Sequence, residues 1–197
     1  MKEFLLTNPS QEIRNQIGQA LWDFYDFQVH QLKKVHADPH PGNFFFKSDG
    51  TVSIFDFGCV KEIPASFYDA YFSLIDRNIY KDEKKVMEIY NALEMIHPTD
   101  TQAELDFFFP LFKTMIDMLT QPFTVDNFDF GEETYFTGIY QYVDYVSNLK
   151  EVRDSVKARG SRHSLYINRT YYGLYHILFD LKAQVKTKIN LEELVLN

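Results

Sequence analysis

This sequence has little cysteine, scattered glycine and no long hydrophobic run. Its single cysteine, Cys59, cannot form an internal disulfide, which is typical of a reducing compartment. No apolar run reaches the length of about 18 residues that a membrane span needs, and no signal peptide follows Met1. The eight glycines form no G-x-G-x-x-G phosphate-binding loop. We therefore expect a cytoplasmic protein without a transmembrane segment, with a location at the periphery of a membrane as an alternative.

The sequence also has fewer positively charged residues than negatively charged ones. The chain has 20 Lys and Arg residues against 28 Asp and Glu residues, a formal net charge of −8. Such a balance disfavours nucleic acid as a partner and electrostatic docking on anionic lipid. A membrane contact would therefore have to be apolar or be made through a protein partner.

Aromatic residues, by contrast, are abundant. The 197 residues include 19 Phe and 13 Tyr, and 45% of the chain is hydrophobic. This composition argues against disorder and supplies enough apolar surface for one core. No repeat or low-complexity segment interrupts it, so we predict a single domain over residues 1–197.

The most informative motif is a loop of the form H-x-D-x-x-x-x-N, from His36 to Asn43, followed by Asp56-Phe57-Gly58. In kinases the loop Asp accepts the proton of the attacking hydroxyl, while the Asn and the second Asp hold magnesium on the nucleotide phosphates. Asp38 is therefore the candidate catalytic residue. Asn43 and Asp56 are the candidate ligands of Mg²⁺ and contacts of ATP.

The residues between Asn43 and Asp56 predict a β-hairpin, with strands at 43–47 and 51–55 around a Ser48-Asp49-Gly50 turn. Such a hairpin would bring Asn43 and Asp56 side by side, as a shared metal ion requires. The alternative is an ordinary hairpin in which the Asp and Asn residues only form turns.

The other residues of the motif have less certain roles. His40 could contact phosphate as a cofactor-binding residue or could brace the two prolines of the loop. For His36 we favour a structural role, packed under Phe57 and hydrogen-bonded to backbone. Phe57 is expected to pack on the core, and Cys59 to be a small buried side chain.

The loop wording Ala37-Asp38-Pro39-His40-Pro41-Gly42-Asn43 with Asp56-Phe57-Gly58 resembles the UbiB (AarF) family of atypical kinase-like proteins. A weaker match, Arg169-Thr170-Tyr171-Tyr172-Gly173-Leu174 running on to Leu181-Lys182-Ala183, resembles the last helix of that family. The resemblance implies ATP binding and hydrolysis or phosphoryl transfer, linked to isoprenoid-quinone (ubiquinone) biosynthesis or lipid homeostasis. It also implies a lipid or quinone precursor as a ligand. Arg169 could pair with an acidic residue and so hold the last helix against the catalytic loop.

The pattern departs from that family at its beginning. Only 35 residues precede His36, whereas a kinase N-lobe needs about 80 to 100. No strand carries a V-A-I-K-like lysine, and no partner glutamate follows. We therefore expect a mainly α protein-kinase-like C-terminal lobe with a small β-hairpin and no N-lobe, inactive unless a separate N-lobe or protein partner completes it. The alternatives are a non-catalytic, pseudokinase-like interaction module, and a truncated gene product or fragment of a longer protein.

Hydrophobic periodicity and capping residues predict the remaining elements. The catalytic loop and metal-binding hairpin occupy 35–60, and the helical remainder occupies 64–190. We predict helices at 10–34, with Ser10 as the cap, at 66–80 and at 82–96. A fourth begins in a capping box of Thr101 and Glu104 and is kinked or broken at Pro110. A loop is expected at 121–131, followed by long helices at 132–156 and 165–188.

Overall fold

The computed structural model describes residues 1–188, and the last part of the predicted helical remainder, 189–190, lies outside them. Within this described part the chain is mainly helical. Its α-helices are α1 (Lys2–Leu6), α2 (Gln11–Asp26), α3 (Ala65–Ser73), α4 (Glu83–Ala92), α5 (Gln102–Thr120), α6 (Glu133–Asn148), α7 (Lys150–Arg153) and α8 (Arg162–Leu181). The predicted fold class, mainly α with a small hairpin, is confirmed. The prediction of one domain over 1–197 includes residues outside the described part and stays a prediction.

The strands of residues 1–188 form three antiparallel pairs. They are β1 (Lys34–His36), β2 (Phe44–Phe46), β3 (Val52–Ile54), β4 (Val60–Glu62), β5 (Asn127–Asp129) and β6 (Gln184–Lys186). The pairs are β1 with β4, β2 with β3, and β5 with β6. Only the β2–β3 hairpin was predicted, because it is the only pair whose strands are close in sequence.

The helix before the His36–Asn43 loop begins where the sequence predicts. The Ser10 Oγ accepts a hydrogen bond of 3.3 Å from the Ile13 backbone N–H, which caps the first turn of α2. Beyond Asp26 the helix widens into a π-helical stretch, Phe27–Leu32, and ends at Lys33 in the left-handed conformation (φ 51°). The left-handed residue reverses the chain into β1 and so sets the start of the catalytic loop.

The two helices predicted at 66–80 and 82–96 are shorter in the structure. The first ends at Ser73, and residues Arg77–Lys81 form a separate 3₁₀ turn whose N-cap is Asp76. The second runs from Glu83 to Ala92, capped by Asp82. Both aspartates accept a hydrogen bond from a backbone N–H that follows them, and such side chains compete with helix continuation.

Of the two outcomes expected at Pro110, a kink or a break, the break is wrong, and the kink stays a prediction. Thr101 and Glu104 form the predicted capping box, and α5 then continues through Pro110 to Thr120. Proline removes one backbone donor, but Phe108 and Ile116 on either side of it are buried and hold the helix on the core.

The C-terminal region differs most from the prediction. The last helix ends at Leu181, not near 188, because Lys182 adopts a left-handed C-cap (φ 50°). The chain then forms β6, which replaces the end of the predicted helix. This strand pairs with β5, which lies within the loop predicted at 121–131. The helix predicted at 132–156 is divided at Leu149 into α6 and α7. Leu149 has an extended backbone, which ends the helical hydrogen bonding.

The hydrophobic core extends from Phe4 to Val185, with α2 and α8 at its centre. The indole of Trp22 stacks on the Tyr175 ring at 6.3 Å between centroids, which joins the two helices. Two buried hairpin side chains, Phe44 and Phe46, belong to the same core and anchor the hairpin on it. Among the described residues, no helix combines the length and the apolarity that crossing a bilayer requires.

Candidate active site

The loop between β1 and the hairpin has a defined shape. As the two prolines predict, it is not an α-helix, and only a single 3₁₀ turn forms at Pro41–Asn43. The exposed His40 caps this turn, because its Nδ1 accepts a hydrogen bond of 3.0 Å from the Gly42 backbone N–H. Of the two roles considered for His40, this contact favours bracing of the loop, although the exposed ring leaves a phosphate contact open.

The Asp38 carboxylate is held from two sides. Its Oδ1 accepts a hydrogen bond of 2.8 Å from Arg169 Nη2, and its Oδ2 accepts one of 3.3 Å from Asn43 Nδ2. The same Asn43 amide group donates to the Asp38 backbone carbonyl at 2.9 Å. The Asp38 side chain remains 39% exposed, so a reacting hydroxyl group can still approach it. Charge-assisted contacts of this kind fix the orientation of a carboxylate.

The hairpin places Asp56 next to Asn43. Its ladder extends beyond the strands, since the Lys47 N–H donates to Thr51 and the Phe55 N–H donates to Asn43 at 2.8 Å. The predicted strands 43–47 and 51–55 are therefore confirmed by backbone pairing. Asp56 follows directly in the left-handed region (φ 56°), where few side chains are tolerated. Its Oδ1 accepts a hydrogen bond of 2.9 Å from the Gly58 N–H, which holds the carboxylate in place.

His36 supports Asp56 from below, as predicted. It is 1% exposed, and its Nε2 lies 2.6 Å from the Asp56 carbonyl oxygen. Because a carbonyl oxygen only accepts, Nε2 must carry the proton. The ring also meets Phe57 edge-on, with 5.7 Å between centroids. His36 therefore fixes the backbone around Asp56 and does not face the reacting groups.

Tyr25, on α2, is buried with its hydroxyl group unpaired among the described residues. Burial raises the pKa of this phenol, and the charge of Asp38 raises it further. The phenol therefore stays protonated and neutral, so it contributes a dipole and no charge to the field at Asp38.

The side-chain oxygen atoms of Asn43 and Asp56 suit a hard cation. Asn43 uses its Nδ2 to reach Asp38, and no hydrogen bond from residues 1–188 occupies its Oδ1. Asp56 likewise has one oxygen, Oδ2, without a partner in that part of the chain. Magnesium is usually bound through one or two carboxylates plus substrate phosphates and water. The described residues contain no cluster of three His, Cys, Asp or Glu side chains that could hold a metal ion.

Two expectations near the motif are wrong. Phe57 is 55% exposed and contacts the His36 ring without entering the core. Cys59 is exposed as well. The segment after Asp56 contacts the loop through its backbone, since the Cys59 carbonyl accepts a hydrogen bond of 2.8 Å from the Ala37 N–H. Backbone pairing leaves these side chains free to face outward.

Helix α8 lies directly beneath the loop, which the sequence indicated only weakly. Arg169 was expected to pair with an acidic residue, and its partner is the candidate catalytic residue Asp38 itself. One turn later, Gly173 faces Pro39 so closely that any Cβ at this position would clash with the proline ring. The glycine thus permits the close approach of helix and loop.

Comparison with known proteins identifies relatives of the part that carries the site. Residues 3–90 match the model of the ABC1 atypical kinase-like domain. The protein ACTIVITY OF BC1 COMPLEX KINASE 7, chloroplastic, of Arabidopsis thaliana is 33% identical over 90 residues, which cover 44% of this chain and 12% of that protein. An aarF domain-containing protein kinase of Arabidopsis thaliana, chloroplastic and uncharacterized, is 26% identical over 99 residues, or 49% of this chain and 13% of that protein.

One solved structure shares the fold. The structure of Rv3197 from Mycobacterium tuberculosis, solved as a complex with erythromycin, matches with a TM-score of 0.68 and 22% identity. The match covers 94% of this chain and 44% of that one. This chain thus spans a minor part of each of these proteins, and the similarity in structure shows the fold alone.

Proposed function

Because residues 3–90 match the model of the ABC1 atypical kinase-like domain, we propose that this chain handles a magnesium nucleotide as the C-terminal lobe of an atypical kinase or ATPase. The observation that carries this proposal is that the Asn43 side chain bonds to Asp38 and that the hairpin pairs Asn43 with Phe55, directly before Asp56. Nothing in an ordinary hairpin requires these three residues to lie so close together. Their arrangement corresponds to the roles that phosphoryl transfer demands.

Asn43 Oδ1 and Asp56 Oδ2 would hold Mg²⁺. The ion would supply charge neutralisation at the phosphate oxygens of ATP. Asp38 would orient the acceptor hydroxyl or water and take its proton. Arg169 and the Asn43 amide would keep the Asp38 carboxylate turned toward the acceptor. His40, at the rim of the loop, would contact phosphate if the nucleotide extends over the 3₁₀ turn.

The surface around the site supports the need for a second lobe. Four apolar side chains near the motif are each more than half exposed, namely Phe45, Phe55, Phe57 and Val60, here called the hairpin patch. Exposed aromatic residues in such number next to a catalytic loop are typical of a surface that another domain covers. We propose that an N-lobe, in a longer form of this chain or in a separate polypeptide, covers the hairpin patch and supplies the missing phosphate clamp. Alone, the chain would turn over ATP negligibly.

The acceptor in this proposal is water or a hydroxyl group of a lipid, such as an isoprenoid-quinone precursor, at the periphery of a membrane. It rests on the family resemblance of the loop. The same hairpin patch favours a second candidate, a non-catalytic interaction module that binds a protein partner through Phe45 and Phe55. Such a module would not need magnesium, and this difference separates the two candidates.

The test is calorimetric titration of MgADP into the purified chain. We expect weak binding that requires magnesium and that disappears in Asp56→Asn, because the variant lacks the anionic ligand. Asp49→Asn is the matched control: it makes the same change at the opposite end of the hairpin, in a turn that asparagine also forms. Magnesium-independent binding, or equal binding by Asp56→Asn, would contradict the proposal and favour the interaction module.

A further inference from the structure

A cavity separate from the candidate active site lies between α3, α5 and the start of α8. Its volume is about 300 Å³, at the lower end of the range for small-molecule sites. Most of its wall is hydrocarbon, with Leu74, Leu93, Phe112, Met115, Ile116 and Leu119 among the lining residues. Asp38, Asn43 and Asp56 do not contribute to it. The cavity is therefore distinct from the candidate active site, and its walls would suit a largely apolar occupant.

One end of the cavity is polar and positive. Arg162, the first residue of α8, and the preceding Gly160 and Ser161 line it together with Arg159, and no Asp or Glu is part of the lining. Ser161 Oγ accepts the Ser164 N–H and caps the helix. The other N–H groups of a first helical turn have no partner within the helix. An acceptor at this end of the cavity would meet unpaired donors and the positive end of the helix dipole.

Arg159 is a second, independent sign of a ligand. Its side chain is only 7% exposed, and although its terminal nitrogens bind Asp100, Glu104 and the Met95 carbonyl, its Nε has no hydrogen-bond partner among residues 1–188. Buried donors are nearly always paired in proteins. An acceptor atom in the cavity that Arg159 lines would supply the missing partner.

The position of Arg162 is electrostatically unfavourable for a helix. It occupies the first position of α8, where the dipole disfavours positive charge, and the first turn contains no acidic residue. Within the described part of the chain Arg162 forms no ion pair, and its side chain is exposed at the rim. Departures from local preference are expected where a binding site requires them. Here the departure adds to an already positive end of the cavity.

We propose that this cavity binds a single-chain amphiphile, with its hydrocarbon tail among the apolar side chains and its anionic head at the N-terminus of α8 beside Arg162. Since a water-sized group takes up about 30 Å³, the cavity holds a tail of about ten carbon atoms. A longer chain can leave the cavity past Leu165, an apolar side chain at the rim that is 68% exposed. The head can be a carboxylate or a phosphate, because both accept hydrogen bonds and carry negative charge.

The test uses sodium decanoate, decyl phosphate and decanol as probes, titrated into the full chain and followed by calorimetry. We expect saturable binding of both anionic probes, at least fivefold tighter than that of decanol. The relative affinities of decanoate and decyl phosphate identify the head-group class. Arg162→Gln should weaken the binding of both anionic probes at least fivefold and leave the binding of decanol unchanged. Arg153→Gln, the same change at an exposed position of α7 away from the cavity, should leave all three unchanged.

A second variant tests the tail. Leu119→Trp should fill the cavity and abolish binding of all three probes, provided that its circular dichroism and melting curve show a folded protein. If it does not fold, Arg162→Gln still decides the question, since that residue lies on the surface. Absence of saturable decanoate and decyl phosphate binding, no preference over decanol, or equal effects of Arg162→Gln and Arg153→Gln would each overturn the proposal. None of these measurements depends on nucleotide binding, so this proposal and the proposed function can fail separately.

Discussion

Replacing Gly173 with alanine tests the contact between α8 and the catalytic loop. In an exposed helix interior, glycine to alanine stabilises a protein by about 0.8–1 kcal/mol, because alanine loses less backbone entropy on folding. At Gly173 the new Cβ would lie less than 3.0 Å from Pro39 Cγ and 3.3 Å from both Pro39 Cβ and the Pro39 carbonyl oxygen. A proline ring cannot rotate away, so either the loop or the helix must move.

Overpacking of this kind costs about 1–3 kcal/mol, which exceeds the gain in helix propensity. We therefore expect Gly173→Ala to change the free energy of unfolding by between about 0 and −2 kcal/mol. Gly138→Ala is the matched control, since its added Cβ would meet only Met118 Cε at 3.6 Å, an ordinary contact. That variant should be stabilised by about 0.5–1 kcal/mol. The difference between the two variants isolates the clash.

The assay is urea unfolding followed by circular dichroism, with MgADP titration of each variant. Because the displaced residue lies next to Asp38, Gly173→Ala should also weaken magnesium-dependent nucleotide binding, whereas Gly138→Ala should not. Pro39→Ala removes Cγ, so the penalty of Gly173→Ala should become smaller in that background. Equal stabilisation by Gly173→Ala and Gly138→Ala would show that the contact with Pro39 does not restrict the size of the side chain at position 173.

Three further predictions concern charged and titratable groups. Burial lowers the pKa of His30 to about 3, so below the ordinary pKa of 6.5 only the unfolded chain binds this proton. The free energy of unfolding should then decrease as the pH is lowered, by about 2 kcal/mol at pH 5 relative to pH 7. His30→Gln should reduce this pH dependence in urea titrations. The side chain of Asp100 is shielded from solvent by its pair with Arg159, so Asp100→Asn should cost about 3 kcal/mol in the same assay; a loss below about 1 kcal/mol would contradict the pairing. Arg169→Gln should change stability by less than about 1 kcal/mol, because the pair with Asp38 faces solvent, yet lower ATP turnover in the protein completed by an N-lobe; unchanged turnover would exclude a positioning role.

Several features follow from the sequence because their causes are local. Ser10 and the capping box at Thr101 mark helix starts correctly, since a cap needs only the next three residues. The hairpin that joins Asn43 to Asp56 was predictable for the same reason, because its turn and both strands are consecutive. The structural role of His36 came from the motif and was confirmed.

Other features depend on residues that are distant in sequence. Arg169 and Asp38 are 131 positions apart, and neither has a local signal that names the other. The pairing of β5 with β6 is equally non-local, and it replaced a predicted loop and the end of a predicted helix. Whether Phe57 and Cys59 are buried also depended on what else packs nearby, and both predictions were wrong.

The chemistry proposed for the site could be predicted from the sequence, because the residue types and spacing of Asp38, Asn43 and Asp56 are properties of a short segment. How that segment is held depends on tertiary contacts: Arg169 orients the Asp38 carboxylate, and Gly173 allows the loop to approach α8. The cavity at the start of α8 is likewise a product of helix packing. The physical reason is that side-chain contacts between distant elements form only when the core brings those elements together, and no local preference encodes them.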